Sequence, residues 1–389
     1  MTVKHGIDVL LSSNCEQLSG LNYGLVTNPT GVNGELLPTW ELLRESHKGR
    51  LVALFGPEHG WSGSVQDELA IESSIDSSTG LRIYSLYGDG LRKPTKEMLE
   101  GLDALVFDIQ DVGVRFYTYI STMYHCLTAC AEHGLKFIVL DRPNPLGGIV
   151  VEGMVLDPKF QSFLGIAPIP IRHGMTVGEL ALMFNETIGA NLEVVAMEGW
   201  RRAYWYDQTG LLWVMPSPNI PTLETVALYP GTCLIEGTNL SEGRGTTRPF
   251  EIFGAPWLNG RRSAQALNAL KLPGVRFRAC SFTPTYGKHY NEFCEGVQVH
   301  ITDRDLLKPV LVGLEVLSHL CHEYPVQFAW RHDSGDGSSE NYPFIDWLLG
   351  TDQVRYQLEQ GVPAQQIIDL ELEKLESFDQ KRQQNFIYK

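Results

Sequence analysis

The chain has 389 residues, more than one hydrophobic core usually organises, so we expect two domains. Its 43% hydrophobic and 20% charged residues are typical of a folded globular protein and exclude a disordered one. A formal net charge of −15 would repel a phosphate backbone, and no basic segment offsets it, so nucleic acid is excluded as a partner.

The cysteines and the N-terminus indicate the compartment. Seven cysteines are scattered along the chain without a C-x-x-C pair, which favours reduced, buried thiols over disulfides or a zinc site. The first residues lack the basic start and apolar stretch of a secretory signal, and no apolar run approaches the ~18 residues of a membrane span. We therefore expect a cytoplasmic protein without a membrane span.

The first 150 residues alternate short apolar runs with helical patterns, which is typical of βαβ units and predicts an α/β fold with a parallel sheet. Apolar residues at helical spacing from Tyr117 to Ala131 predict a helix that ends at Gly134. The predicted strands are Tyr23–Thr27, Leu51–Phe55, Ile83–Tyr87, Ala104–Asp108 and Phe137–Leu140.

Polar side chains lie where four of these strands end. Asn28, Glu58, Asp108 and the pair Asp141-Arg142 each follow or close an apolar run. Because the carboxyl ends of parallel strands meet at one edge, we expect these side chains to converge there. The alternative is that asparagine and aspartate only form turns at these positions.

Proline-rich segments and more aromatic residues appear after Val150, which predicts a boundary near residue 160 between domains 1–160 and 161–389. Thr176 and Glu179 have the spacing of a capping box and predict a helix that runs to about Thr187. Residues 305–320 and 364–378 are predicted helices as well.

Residues 236–250, from Glu236 to Phe250, alternate glycine with charged and hydroxyl side chains. This pattern suits a loop whose backbone comes close to a polar ligand. The segment lacks the Gly-Lys-Ser/Thr ending of a P-loop and the third glycine of a dinucleotide fingerprint. We therefore expect no nucleotide cofactor.

Several long motifs carry a resemblance to a known family. They include residues 55–60, which read Phe-Gly-Pro-Glu-His-Gly, and the others are residues 24–31, 107–119, 141–145, 216–221 and 236–246. Together they are spread from residue 24 to residue 246. On these motifs the chain resembles the exo-β-N-acetylmuramidase family, the NamZ-like enzymes of bacterial cell-wall turnover.

The resemblance implies a Rossmann-like N-terminal domain, a smaller α/β C-terminal domain and an active-site cleft between them. It implies hydrolysis of the β-1,4 bond that joins a non-reducing terminal N-acetylmuramic acid to N-acetylglucosamine in peptidoglycan fragments. We expect no cofactor and no metal. Glu58 corresponds to the catalytic glutamate of the family. A carboxyl group on a stiff, partly apolar turn suits a general acid that protonates the departing oxygen.

A glycosidase usually needs a second carboxylate. Glu242 is our first candidate and Asp111 the second, while Asp108 and Glu236 remain open as catalytic or substrate-binding groups. The 2-acetamido group of the substrate is an alternative internal nucleophile, which a carboxylate would only polarise.

Other polar residues of the motifs are candidates for substrate binding. An arginine could bind the lactyl carboxylate of muramic acid with both of its forked donors, and asparagines could bind hydroxyl or acetamido groups. His59 could orient Glu58 or bind sugar hydroxyls. The candidate arginines are Arg142, Arg172 and Arg244, and the candidate asparagines are Asn28, Asn144, Asn219 and Asn239.

Two other functions stay open. A metal-dependent hydrolase could use His59, Asp108 and Asp111, although no H-x-H or H-E-x-x-H spacing supports it. A non-catalytic protein that binds muropeptides would need only the polar loops. The expected partner is in each case a small substrate or ligand, and no pattern indicates an oligomeric state.

Overall fold

The computed structural model describes residues 2–63, 74–76, 79–88, 92–332 and 342–389. The described strands are β1 (Asn22–Thr27), β2 (Arg50–Gly56), β3 (Ser74–Ile75), β4 (Arg82–Ser85), β5 (Ala104–Asp108), β6 (Lys136–Leu140), β7 (Glu152–Val155), β8 (Pro170–Arg172), β9 (Asn191–Val195), β10 (Ile252–Ala255), β11 (Val275–Phe282) and β12 (Cys294–Ile301). The described α-helices are α1 (Gly6–Ser12), α2 (Thr39–Glu45), α3 (Lys96–Leu99), α4 (Tyr119–His133), α5 (Val177–Ile188), α6 (Leu223–Thr232), α7 (Gly260–Ala269), α8 (Pro309–Glu323), α9 (Phe344–Leu349), α10 (Gln353–Glu359), α11 (Ala364–Asp369) and α12 (Leu372–Arg382).

The first half of the chain forms a seven-stranded sheet in the order β3-β4-β2-β1-β5-β6-β9. Its last six strands are parallel, and β3 pairs antiparallel with β4. Counted in chain order, the parallel strands are arranged 3-2-1-4-5-6, the Rossmann order. The α/β fold expected from the sequence is therefore confirmed, and all five predicted strands are present with ends that differ by at most two residues.

The sheet is buried on both faces, which explains why its strands read as continuous apolar runs. On one face, α4 and α5 pack over a core that continues into the second half of the chain. On the other face, α1 and α2 cover a smaller core that includes Ile7, Leu25 and Leu43. One continuous core thus joins the first sheet to the elements that follow it.

The second half has a three-stranded antiparallel sheet in the order β10-β12-β11. Helix α7 packs on β11 and β12, and α8 packs against α6. Antiparallel strands with helices beside them are the smaller α/β unit that the resemblance implied.

The first sheet extends beyond the boundary predicted near residue 160. Helix α5 packs on α4, and β9 pairs with β6 to complete the parallel order. The proline-rich residues 166–170 resemble a linker in sequence, but they lead into β8, which forms a short antiparallel pair with β7. These residues are therefore an insertion in the crossover from β6 to β9.

Two of the predicted helix boundaries are confirmed, and two predicted helices have different bounds in the structure. Gly134 ends α4 in the left-handed conformation, and the capping box of Thr176 and Glu179 begins α5, as predicted. The helix predicted from residue 305 begins only at Pro309, since proline suits the first turn, where its missing N–H has no helical partner. The helix predicted over 364–378 is divided into α11 and α12.

Within the described residues, no helix combines the length and the apolar character that a bilayer crossing requires.

Candidate active site

The carboxyl edge of the first sheet brings the predicted strand-end residues together. Asn28 follows β1, Asp108 closes β5, and Glu58 and Arg142 each lie two residues after the ends of β2 and β6. The strand order reverses between β1 and β5, and in sheets of this kind ligands bind at that point.

Asp108 and Arg142 bind each other at this edge. The Nε of Arg142 lies 2.6 Å from Oδ1 of Asp108, and its Nη2 lies 2.9 Å from Oδ2. Thr39 donates a further hydrogen bond to Asp108, and Arg142 also donates to the carbonyl of Val32. Both charged side chains are fully buried. The substrate-binding roles predicted for them therefore do not fit this structure, because their charges hold the loops together.

Three predicted substrate-binding residues support turns instead. Asn28 accepts hydrogen bonds from the backbone and the hydroxyl of Thr30. Asn144 donates to one backbone carbonyl and accepts from the N–H two residues later. Asn239 joins two backbone groups of residues 327 and 329. None of these three side chains lines the cleft that contains Glu58.

Arg172 is the second predicted carboxylate-binding arginine that lies away from the cleft. Its Nη2 donates to the carbonyl of Leu146 at 2.6 Å, and its guanidinium lies 5.5 Å from the ring centre of Trp205. Burial lowers the pKa of Arg172, while the nearby Glu152 raises it. The arginine is thus part of the packing between β8 and the loops around it.

A cleft that is partly open to solvent lies at the carboxyl edge beside these residues. One wall comes from the first sheet. It is formed by Glu58 and His59 after β2, and by Phe116, Tyr117 and Thr118 before α4.

The opposite wall comes from the second half of the chain. It contains the amide of Asn219, the rings of Tyr229 and Phe250, and the charged pair Glu236 and Arg244. The two rings meet edge to face with centroids 4.8 Å apart. Carboxylates and apolar rings therefore line the same cleft, and this combination matches the chemistry of a sugar, whose ring has polar edges and apolar faces.

Glu58 is half-buried, and its Oε2 accepts a hydrogen bond of 2.6 Å from the hydroxyl of Thr118. The next residue, His59, is buried and has a φ of 69°, in the left-handed region. This conformation costs roughly 1–2 kcal/mol for a residue with a side chain, and such strain is concentrated at functional sites. The amide of Gly60 donates to the carbonyl of Pro57 and closes the turn.

Glu236 and Arg244 are paired on the opposite wall. The Nη2 of Arg244 lies 3.2 Å from Oε1 of Glu236, and its Nε lies 3.2 Å from Oε1 of Glu242. The guanidinium also lies 5.0 Å from the ring centre of Phe250. Arg244 thus connects a carboxylate in the cleft with one behind it.

Glu242, the first candidate for a second catalytic carboxylate, lies on the far side of Arg244. It is buried, and its Oε2 is 2.9 Å from Nζ of Lys288. Burial raises the pKa of Glu242, but Lys288 and Arg244 outweigh burial and hold that pKa below its ordinary value. Glu242 lines a separate, wider groove that shares only Glu236 and Arg244 with the cleft.

Asp111, the second candidate, is buried behind the first wall. Its Oδ2 accepts a hydrogen bond of 2.7 Å from the amide of Gly113 and lies 3.6 Å from Nε2 of His173. Asp111 is not among the residues that line the cleft. Of the predicted site residues, the cleft therefore brings together Glu58, His59, Asn219, Glu236 and Arg244.

Sequence reasoning missed several residues of the cleft. Thr118 lies inside the motif of residues 107–119, where a threonine before a helix has the pattern of an ordinary helix cap. Arg92 also lines the cleft, with its guanidinium 4.3 Å from the ring centre of Tyr87 and 4.8 Å from that of Phe163. Tyr229 is missed because an aromatic residue inside a helix has the same pattern as a core residue.

No metal-binding group of three or more histidine, cysteine, aspartate or glutamate side chains is present in the part of the chain that the structure describes. Two of the three residues named for a metal site have other contacts, since Asp108 binds Arg142 and Asp111 binds the amide of Gly113.

Comparison with known proteins identifies the family. The model of the N-terminal part of the exo-β-N-acetylmuramidase NamZ matches residues 23–224, and the model of its C-terminal part matches residues 227–388. The chain belongs to the NamZ exo-β-N-acetylmuramidase family. The resemblance seen in the sequence motifs is confirmed, and the division between the two models falls well after residue 160.

Individual relatives agree with this family. The chain is 48% identical over 388 residues to the peptidoglycan β-N-acetylmuramidase NamZ of Bacillus subtilis strain 168, with 99% of this chain and 91% of the relative covered. It is also similar to the crystal structures of two DUF1343 family proteins from Bacteroides fragilis. The first has a TM-score of 0.90 at 39% identity and the second 0.80 at 32%, each with 100% of this chain and 99% of the other covered.

Proposed function

We propose that this chain is a glycoside hydrolase that releases N-acetylmuramic acid from the non-reducing end of peptidoglycan fragments by cleaving the β-1,4 bond to N-acetylglucosamine. The observation that carries the proposal is the position of Glu58 in a cleft lined by carboxylates and aromatic rings, within a chain of this family. The expected substrate is a soluble saccharide derived from peptidoglycan, which fits a role in cell-wall turnover and muropeptide recycling.

Glu58 acts as the general acid. Its half-buried position at the rigid turn after β2 supports this role, because a general acid must stay within hydrogen-bond reach of the departing oxygen. His59, held next to it in a strained conformation, binds a sugar hydroxyl or orients Glu58.

Glu236 is a better candidate for the second carboxylate than Glu242 or Asp111. It lines the same cleft as Glu58, whereas Glu242 is enclosed by Lys288 and Arg244. Glu236 either activates water or polarises the 2-acetamido group of the substrate, which then serves as the internal nucleophile.

Two arginines that line the cleft, Arg92 and Arg244, are the proposed cations for the lactyl carboxylate of muramic acid. Guanidinium groups bind carboxylates with paired, charge-assisted hydrogen bonds. Asn219 is the proposed amide for hydroxyl or acetamido groups, because it lines the cleft and the other three asparagines do not. Tyr117 and Phe250 supply ring surfaces for the sugar.

The test compares hydrolysis of a chromogenic β-N-acetylmuramic acid glycoside with that of its N-acetylglucosamine counterpart. We expect the wild type to cleave only the muramic substrate, with or without EDTA, and Glu58→Gln to lower kcat for the natural disaccharide, whose leaving group needs a proton, by about 10²–10⁴-fold. Glu45→Gln, which changes an exposed glutamate at the end of α2, is the matched control and should behave as wild type. Loss of activity in EDTA would instead favour a metal-dependent hydrolase.

A wild type that cleaves neither the chromogenic glycoside nor the natural disaccharide would overturn the proposal. Saccharide binding that persists in Glu58→Gln would then favour the muropeptide-binding protein. The cytoplasmic location expected from the sequence remains a prediction, and fractionation of cells that express the native protein would test it.

A further inference from the structure

Thr118 occupies the N-terminal cap of α4, but its hydroxyl does not cap the helix. The side chain makes no hydrogen bond to the amides of the first turn. Its Oγ1 donates instead to Oε2 of Glu58 at 2.6 Å, and the threonine is 8% exposed. The hydroxyl that would ordinarily stabilise the helix thus holds a carboxylate of the cleft.

Three other threonines of this chain show the ordinary arrangement. Thr95, Thr176 and Thr222 precede α3, α5 and α6 with extended backbone, and each side chain accepts a hydrogen bond from the third amide of its helix. Such a cap is worth typically ~1 kcal/mol. Thr118 has helical dihedrals, with φ −67° and ψ −7°, which turn its side chain away from those amides. Helix α4 therefore lacks a stabilising contact that the other three helices have.

The first turn of α4 is fixed from the other side as well. The hydroxyl of Tyr119 donates to the carbonyl of Pro216, in the loop that leads to the opposite wall. Tyr119 is fully buried and packs edge to face on Tyr117, with centroids 4.8 Å apart. The N-terminus of α4 therefore has a fixed position relative to both walls of the cleft.

From this geometry we propose that Thr118 is a positioning residue, which holds Oε2 of Glu58 so that the proton given to the glycosidic oxygen is carried by Oε1. The proposal rests on the general-acid role of Glu58 given above. Because Oε2 already accepts from Thr118, a neutral Glu58 keeps its proton on the other oxygen. The hydroxyl thus selects one of two oxygens and one orientation of the carboxyl group.

The same contact becomes stronger as the reaction proceeds. When the bond from the anomeric carbon to the glycosidic oxygen breaks, its electron pair stays on that oxygen, which takes the proton from Oε1. Water supplies a hydroxyl to the anomeric carbon, and its remaining proton restores Glu58. Negative charge develops on Glu58 meanwhile, next to a charge-assisted donor and the positive end of the 15-residue helix α4. A contact that strengthens in the transition state raises kcat rather than substrate affinity.

The test uses two substrates that differ in their need for an acid. A 4-nitrophenyl glycoside of N-acetylmuramic acid releases a stable anion, whereas the natural disaccharide releases a sugar alkoxide that must be protonated. We expect Thr118→Val to lower kcat for the disaccharide by ~10–100-fold with KM unchanged, and kcat for the nitrophenyl glycoside by less than ~3-fold. Thr118→Ser, which keeps the hydroxyl, should restore most of the rate for the disaccharide.

Two further variants test whether any threonine of α4 would give the same effect and whether Glu58 is the acid. Thr128→Val changes a threonine of the same helix whose hydroxyl bonds only to the carbonyl one turn earlier, and it should leave both rates unchanged. Glu58→Gln tests the acid role itself and should show the same substrate dependence as Thr118→Val, with a larger loss.

A wrong positioning role for Thr118 and a wrong acid role for Glu58 would give different kinetic results. If Glu58→Gln affects the disaccharide far more than the nitrophenyl glycoside but Thr118→Val lowers both rates equally, Thr118 has only a structural role and the positioning role is wrong. The same conclusion follows if Thr118→Ser is as slow as Thr118→Val while both fold with the melting temperature of the wild type. If Glu58→Gln leaves the rate for the disaccharide unchanged, the acid role fails, and the positioning role fails with it.

Discussion

Replacing Tyr388 by phenylalanine tests whether the end of the chain stabilises the carboxyl edge of the first sheet. The Tyr388 hydroxyl donates to Oδ2 of Asp141 at 2.6 Å and accepts from the amide of Met197 at 2.8 Å. Asp141 is fully buried and also accepts from Thr176 and from two backbone amides. The substitution removes one oxygen and leaves two buried groups short of a partner.

The expected loss of stability in Tyr388→Phe follows from these two hydrogen bonds. A hydrogen bond to a charged group contributes ~1.5–3 kcal/mol, and a buried amide without a partner costs ~1–3 kcal/mol. We therefore expect Tyr388→Phe to lower the free energy of unfolding by about 3–5 kcal/mol at pH 8. For a chain of 389 residues the unfolding entropy is ~0.8 kcal/mol/K, so the melting temperature should fall by about 4–6 °C.

The effect should depend on pH, because burial raises the pKa of Asp141 from its ordinary 3.8 to about 6. A carboxyl whose pKa is raised in the folded state binds more protons there than in the unfolded state, so its contribution to stability falls as pH rises from 3.8 through 6. The ionised form needs its donors most. Removing the Tyr388 donor should therefore destabilise the protein by ~1 kcal/mol more at pH 8 than at pH 5.

Differential scanning fluorimetry of wild type and variant at both pH values gives the measurement. Tyr290→Phe is the matched control, because that side chain is 61% exposed, and its melting temperature should stay within about 1 °C of the wild type. A loss of less than 1 °C at pH 8, or the same loss at pH 5 and pH 8, would refute the reasoning.

Three other predictions follow from the contacts. Glu236→Gln should lower kcat for muramic acid glycosides at least ~10-fold more than Glu242→Gln, because only Glu236 lines the cleft with Glu58; steady-state kinetics decide this, and equal losses would contradict it. Asp108→Asn should lower stability by about 3–5 kcal/mol, since it leaves a buried guanidinium without its charged partner, and an unchanged thermal melt would count against that ion pair. Gly313→Ala should destabilise the contact of α8 with α6, because its new Cβ would overlap the backbone of Gly231; a melt equal to that of wild type would show that the helices can move apart.

The local pattern of the sequence was sufficient for five of the seven described strands of the first sheet. Its strands are short apolar runs because both faces are buried, and the helix stop at Gly134 depends only on a residue that adopts the left-handed conformation freely. Glu58 could be named because a carboxylate on a proline-containing turn after a strand has no obvious packing reason. The family could be recognised because its motifs are long and keep their order.

The boundary between the two halves of the chain could not be predicted from local sequence patterns. Proline-rich residues 166–170 look like a linker, but the crossover continues through α5 to β9, which pairs with β6. Strand pairing joins residues about 55 positions apart, such as Lys136 and Asn191, and no local composition reports it.

Which polar side chains reach the cleft was decided only by the tertiary structure. Asp108 and Arg142 have the residue types of a sugar site, yet they are buried against each other. Glu236 and Glu242 are only six positions apart in the chain, and Arg244 lies between their side chains, so that one faces the cleft and the other Lys288. The sequence determines which chemical groups are available at the strand ends and loops. Packing decides which of these groups are available to bind a substrate, because a buried charged group must be paired with another group of the protein.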